Sequence, residues 1–273
     1  MGVLVCFHAH PDDEVFGTGG IIRLSADAGH RVVLVTATDG AAGEVPDGLL
    51  VPGESLAERR RTELEKSARI LGAHRLVTLG YADSGMAGTP ENNSPDAFAN
   101  VPVEQAAERL AAVLGEEKAD VITLYDSNGG YGHPDHIQTH RVAVAAIGAS
   151  GYPQLYPEAG PPWRPKLLYQ ATMPFSAAQL LWPAVRKQAN RPVGPLPGVP
   201  DEEIDLFVDV TAWLQTKWDA LSAHKSEIAR GGAMTMLAAL PEEVRWDVLR
   251  TEWFQRMALQ PDAEAFDALR FPS

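Results

Sequence analysis

His10, Asp12, Asp13 and Glu14 crowd together directly after the apolar run Val3 to Phe7, so an imidazole and several carboxylates sit where a first strand should end. A second knot, His133-Pro134-Asp135-His136, follows another strand-like run, Val121 to Tyr125. Imidazole nitrogens and carboxylate oxygens are what a catalytic zinc site uses, with three protein donors and one position left for water. His10 and Asp13, three apart in a tight turn, can face one cation, and His136 can reach it from the other knot. Asp12 is then free to act as general base, and the exchanged assignment, Asp12 as ligand and Asp13 as base, is also open. His133 is the candidate to face a developing oxyanion or a leaving amine, with Asp135 fixing its tautomer through the other ring nitrogen. Metal-assisted hydrolysis is the chemistry this set of groups supports best.

The elements that must position these groups read as strands alternating with helices. Val3 to Phe7, Arg31 to Ala37, Arg75 to Leu79 and Ala119 to Tyr125 are short apolar or β-rich runs. Between them lie helix-like stretches, roughly Gly17 to Ala28, Ser55 to Leu71 and Val103 to Glu117. Such alternation predicts right-handed βαβ units and a Rossmann-like α/β fold, a mainly parallel sheet flanked by helices. Ligands gather at the carboxyl ends of strands in open sheets of this kind, so both knots are expected to converge at that edge. Long loops at 39–54 and 80–102, with the shorter 126–132, should wall the pocket. Pro11 and Pro134 stiffen the two turns, while Gly129, Gly130 and Gly132 let backbone approach closely.

After residue 150 prolines mark an irregular crossing, followed by a strand at Lys166 to Thr172 and an extended or mobile stretch at Gln188 to Pro200. Leu206 to Val210 reads as a short strand and Thr211 to Glu227 as a helix. From Ala233 the tail reads as helical, with Leu237, Leu240, Val244, Leu249, Trp253 and Met257 on its apolar side. A single domain over residues 1–273 is expected, with 1–150 the catalytic core and 151–273 an added portion covering the pocket.

At 273 residues and a formal charge of −13, the chain can bury a sizeable core but repels phosphate backbones and anionic lipid. Nucleic acid and membranes are therefore not expected partners, and a small, neutral or locally recognised substrate is. The lone Cys6 lies within the first strand, cannot form an intramolecular disulfide, and reads as a small buried apolar residue. With no secretory or membrane-length apolar run, a reducing cytoplasm is the simplest compartment. One zinc ion per chain is the default cofactor, although two histidines and an aspartate also suit iron or cobalt. Gly17-Thr-Gly-Gly20 breaks the dinucleotide spacing, and Ile137 stands where a zincin helix needs glutamate, so His140 is not expected to be a ligand. Arg59 to Arg61 reads as a solvated helix face, and Trp246, Trp253 and Phe254 as core or dimer contact, which leaves a homo-oligomer open.

His10-Pro-Asp-Asp-Glu14 together with His133-Pro-Asp-His136 resembles the PIG-L or LmbE-like de-N-acetylases, zinc enzymes that remove acetyl from N-acetylglucosaminyl compounds. The resemblance implies His10, Asp13 and His136 as zinc ligands, Asp12 as base and His133 as the oxyanion-stabilising or acid residue. Gly43-Glu44, Arg60-Arg-Thr-Glu63, Asp83-Ser-Gly-Met-Ala-Gly-Thr89 and Asn128-Gly-Gly-Tyr-Gly-His133 look like the mycothiol-pathway branch of that family, which holds a deacetylase and a conjugate amidase. By that likeness Glu44, Arg60 and Asp83 would grip sugar hydroxyls and Tyr131 would line the reacting centre. The implied activity is removal of the N-acetyl group from an amino sugar conjugate. An amidase acting on mycothiol conjugates or another larger amide is the alternative. A sugar-binding protein with a vestigial site is a third reading, disfavoured because every proton-transfer residue is present.

Overall fold

Leu4, Val5, Cys6 and Phe7 are all fully buried, and their alternation along one strand feeds two separate cores. Such a strand, apolar on both faces, belongs at the centre of a sheet covered by helices on each side. The computed structural model describes residues 1–43, 45–180, 196–231 and 233–260. There β1 (Val3–His8) pairs in parallel with both β2 (Arg31–Thr38) and β4 (Val121–Tyr125). The described sheet adds β3 (Arg75–Tyr81), β5 (Leu167–Thr172), β6 (Leu206–Asp209) and β7 (Thr251–Ala258), in the order β3-β2-β1-β4-β5-β7-β6. The first five strands run parallel, and β7 is antiparallel to both neighbours. Chain order reverses between β1 and β4, which opens a crevice at their carboxyl ends, where both histidine knots emerge. The Rossmann-like α/β expectation holds.

Helices α1 (Asp13–Asp27), α2 (Leu56–Leu71) and α3 (Val103–Glu117) connect the strands, and a short α4 (Gly129–Gly132) precedes α5 (Pro134–Ser150). A reciprocal capping box between Ser55 and Glu58 starts α2, and Gly72 ends it in the left-handed conformation. Farther on come α6 (Leu214–Leu221), α7 (Lys225–Ala229), α8 (Ala233–Ala238) and α9 (Glu242–Leu249). The helix expected over Thr211 to Glu227 is thus broken at Ser222 to His224. The helical tail is also corrected: it ends at Leu249, and Thr251–Ala258 is a strand between β5 and β6. Leu249, Trp253 and Met257 fall at helical spacing, but Glu252 and Phe254 are the buried pair, which is a strand's alternation. Most of the stretch expected to be extended or mobile, Gln188 to Pro200, lies outside the described residues. No described helix is long and apolar enough to cross a membrane.

The glycines inside the first half of α1 serve packing. A Cβ on Gly20 would lie 2.3 Å from Val210, and one on Gly17 3.2 Å from the Ala171 Cβ. Beside them, the fully buried Glu252 carboxylate accepts from the backbone N–H of Gly20 (2.7 Å) and Ile21 (2.9 Å) and from Lys217 Nζ (2.6 Å). This pair ties β7 and α6 to α1. Lys217→Met leaves a buried carboxylate without its cation and is expected to cost about 3–5 kcal/mol of stability, read from denaturant unfolding. A loss below about 1 kcal/mol would mean the pair behaves as a surface ion pair. Cys6 is a free, fully buried thiol, which burial pushes up to about 12.

Candidate active site

The turn after β1 is built by its own carboxylates. Asp13 Oδ2 accepts the His10 N–H at 2.8 Å, and Glu14 Oε2 accepts the Asp12 N–H at 2.9 Å. Between them Asp12 is held at φ 129°, a conformation that costs an L-residue on the order of 1–3 kcal/mol and persists only where surroundings enforce it. The second turn follows β4. Asp126 Oδ1 accepts from the N–H groups of Asn128 and Gly130, and three glycines at positive φ carry the chain into α5. A Cβ on Gly129 would lie 2.6 Å from the His136 Cβ, so only glycine allows this turn to lie against the first turn of α5.

These two turns bring His10, Asp13, His133, Asp135 and His136 together. His10 Nδ1 lies 3.3 Å from Asp13 Oδ2 and 3.3 Å from His136 Nε2, and His136 Nε2 lies 3.4 Å from Asp13 Oδ1. The opposite ring nitrogens are engaged: His10 Nε2 meets Asp135 Oδ2 at 3.1 Å and Asp83 Oδ1 at 3.4 Å, and His136 Nδ1 meets the Gly129 carbonyl at 3.2 Å. Carboxylates and a carbonyl can only accept, so those nitrogens carry the protons. His10 Nδ1 and His136 Nε2 are left facing one another beside a carboxylate. Burial opposes charge on His10, yet hydrogen bonds with Asp13, Asp135 and Asp83 raise its pKa well above the ordinary imidazole value. Against the same burial, His136 and His10 hold Asp13 well below the usual carboxylate range.

The donor set fits a divalent cation. Ligand atoms about 2.0–2.2 Å from a tetrahedral ion stand roughly 3.3–3.6 Å apart; His10 Nδ1 and His136 Nε2 are 3.3 Å apart, and each lies 3.3–3.4 Å from a different oxygen of Asp13. Two triads that leave out Asp13 bring one donor atom from each residue within 4.8 Å of one another, His10 with His133 and His136, and His10 with Asp83 and Asp135. In the second, His10 offers the nitrogen already committed to carboxylates, which is the usual second anchor of a metal-binding histidine. Tyr125 steadies the arrangement, its ring stacked on His136 at 4.1 Å and its hydroxyl accepting the Ala9 N–H at 3.0 Å.

The remaining residues singled out from the sequence divide. Asp135 does not set the His133 tautomer through its carboxylate. That group is fully buried against Ser84, accepting from its N–H at 2.9 Å and from its hydroxyl, and against His10. The Asp135 backbone N–H instead donates to His133 Nδ1 at 3.1 Å, because His133 is the N-cap of α5, and this leaves Nε2 as the protonated nitrogen. Burial, with the neighbouring His10 and His136, pushes the His133 pKa down to about 4, so the ring is neutral at pH 7.

Asp83 faces His10 and accepts the N–H groups of Gly85 and Ala42. Tyr131 is 58% exposed at the mouth, its ring 5.1 Å from that of His136 and 6.1 Å from that of His133. Glu44 lies outside the described residues. Arg60 departs from the reading of Arg59 to Arg61 as a solvated face, being only 3% exposed. Its guanidinium reaches the carbonyls of Pro11 and Gly40, Asp12 Oδ2 at 3.2 Å and Glu227 Oε1 at 3.3 Å. Burial, resisted by Arg60 and reinforced by Asp13 and Glu227, pushes the Asp12 carboxyl up to about 8.

Ser67, Ser84, Tyr125, Glu227 and Arg230 also join the site, with no role legible for them in the sequence. Arg230 pairs with Glu227 at 2.6 Å and donates to the Ala42 carbonyl at 2.5 Å, joining α7's end to the loop after β2. A signal did exist in α2: Arg60, Glu63 and Ser67 repeat at helical spacing on the same face as buried Leu64 and Leu71.

Known proteins resemble this chain in sequence and in fold. The PIG-L family, described as GlcNAc-PI de-N-acetylase, matches residues 5–147. A Thermobifida fusca protein named 1D-myo-inositol 2-acetamido-2-deoxy-alpha-D-glucopyranoside deacetylase is 38% identical over 270 residues, covering 92% of this chain and 91% of its own. A Rhodococcus jostii protein of the same name is 36% identical, covering 92% and 90%. Among solved structures, N,N'-diacetylchitobiose deacetylase from Pyrococcus horikoshii is similar with a TM-score of 0.64 and 23% identity, over 94% of this chain and 84% of that one. The 4-carboxy-2-hydroxymuconate hydratase GalB of Pseudomonas putida is similar too, with a TM-score of 0.61 and 18% identity over 97% and 99%. One fold thus carries different chemistries, and activity has to be argued from the site. With the family model spanning both histidine knots and relatives aligned over nearly its whole length, the chain belongs to the PIG-L family.

Proposed function

We propose that this protein is a metal-dependent N-deacetylase that releases acetate and a free amine from an N-acetylglucosamine-type conjugate. The observation that carries the reading is the triangle of His10 Nδ1, Asp13 and His136 Nε2, with Asp12 adjoining it in the same turn. His10, Asp13 and His136 would hold the metal, zinc by default. A divalent cation bound there lowers the pKa of water towards about 7 and polarises the amide carbonyl.

Asp12 takes the proton from the attacking water. A carboxyl brought near neutrality by burial is suited both to accept that proton and to return it to the leaving nitrogen. Arg60 holds the Asp12 carboxylate in place and is committed to that task. Neutral His133, protonated at Nε2, donates to the oxyanion as it develops. Asp135 and Asp83 orient His10 through its Nε2–H. Asp83 and Glu44 are the groups we assign to sugar hydroxyls, with Tyr131 at the mouth. The C-terminal portion belongs to the same catalytic unit, because Glu227 and Arg230 reach Arg60 and the Ala42 carbonyl.

The inositol glycoside named for the relatives is the first substrate to test, beside N-acetylglucosamine, chitobiose derivatives and conjugates bearing larger acyl groups. Acetate release from an acetamido sugar, abolished by chelation and restored by metal, is expected. Release of a larger acid with no acetate would make the protein an amidase, and an inert wild type that still binds the sugars would make it a binding protein.

A further inference from the structure

Glu14 sits beside the base yet offers nothing to substrate, since its carboxylate is fully buried and wholly occupied. It accepts from Ser67 Oγ at 2.5 Å, from His224 Nε2 at 2.7 Å and from the Asp12 N–H at 2.9 Å. The last of these bonds grips the peptide of the residue whose φ is 129°. His224 arrives from the far end of the chain, at the break between α6 and α7, and is itself fully buried. Its Nδ1 has no hydrogen-bond partner, so the ring is anchored on one side only, into Glu14. Ser226 fixes the segment by donating its N–H and hydroxyl to Glu63 on α2, one turn before Ser67.

We propose that His224, acting through Glu14, is a positioning residue for Asp12: it orients the carboxylate that holds the base's peptide in its strained conformation. The inference rests on the deacetylase reading for its kinetic test but on geometry alone for its spectroscopic one. Ser67 and His224 both bond to Glu14 Oε1 while the Asp12 N–H donates to Oε2, so the imidazole fixes the direction in which the carboxylate presents its second oxygen to the Asp12 peptide. Without the imidazole the Asp12 peptide loses its restraint, while His10 and His136 stay held by Asp135, Asp83 and Gly129, and Asp13 by the His10 N–H.

The test compares His224→Leu, His224→Gln and Ser67→Ala with the wild-type holoenzyme. On whichever acetamido sugar the wild type hydrolyses, His224→Leu is expected to lose about 10–100-fold in kcat, with KM and bound metal little changed. His224→Gln, whose amide can still donate to Glu14, is expected to recover most of that loss, and Ser67→Ala to show a smaller fall should the leucine variant not fold. In amide-proton NMR spectra the Asp12 N–H should resonate downfield in the wild type and move upfield in His224→Leu and Ser67→Ala. An unchanged kcat in a folded leucine variant, or an Asp12 resonance that does not move, overturns the proposal. A wild type inert on every acetamido sugar overturns the deacetylase reading alone, because the Asp12 resonance still reports on the link to His224.

Discussion

Replacing Asp12 by alanine is expected to cut kcat for acetate release by about 10³-fold while the protein keeps its metal and its KM. The expectation follows from the direction in which two adjacent carboxylates point. Asp13 faces His10 Nδ1 and His136 Nε2, whereas Asp12 Oδ2 is held 3.2 Å from the Arg60 guanidinium. Removing Asp12 therefore removes a proton acceptor and no donor atom of the triangle. Because φ 129° also burdens alanine, Asp12→Asn is the sharper variant, for asparagine tolerates positive φ and keeps the shape while losing the basicity. Both variants should be equally inactive. Loss of metal from either, or activity within about tenfold of wild type, would show that the base lies elsewhere.

Asp13→Ala should behave differently, losing bound metal together with activity, by roughly 10⁴-fold or more because water activation and carbonyl polarisation disappear together. The same carboxylate also accepts the His10 N–H at 2.8 Å, so its loss loosens the turn as well as the site. Metal analysis of the purified variant is the first measurement, and the rate of chelated wild-type protein before and after adding back zinc, iron or cobalt is the second. A chelated wild type that keeps its full rate would sink the metal assignment, whatever the variant does.

Much of this arrangement was readable in the sequence because it depends on periodicity and on strand ends. Two apolar runs each followed by a histidine knot suffice to expect both knots at one edge of a parallel sheet, and the structure adds that β1 and β4 are direct neighbours. What escaped depends on which way a side chain turns. Asp12 and Asp13 are interchangeable on paper and were separated only by the resemblance. The middle arginine of Arg59 to Arg61 is buried while its neighbours reach Glu54 and Glu65, and a run of like charges gives no sign of that. Asp135 was linked to His133 by adjacency, yet an N-capping residue takes the backbone N–H and leaves the carboxylate free to turn inward to Ser84 and His10. The strand β7 was hidden because helical spacing and strand alternation overlap at Leu249, Trp253 and Met257, and only tertiary pairing with β5 and β6 decides between them.

The central place of β1 also has a consequence for how the protein comes into being. β1 is made well before β4, and its register with that strand, Leu4 opposite Val121, cannot be set until the distant stretch has been made. Closing so long a loop is slow, and although β2 can cover one edge of β1 early, the other edge of an apolar strand stays open until β4 arrives. Nascent chains halted before residue 136 should therefore be sticky and dependent on chaperones, whereas longer ones can shelter β1 and bring the last of the three proposed ligands within reach.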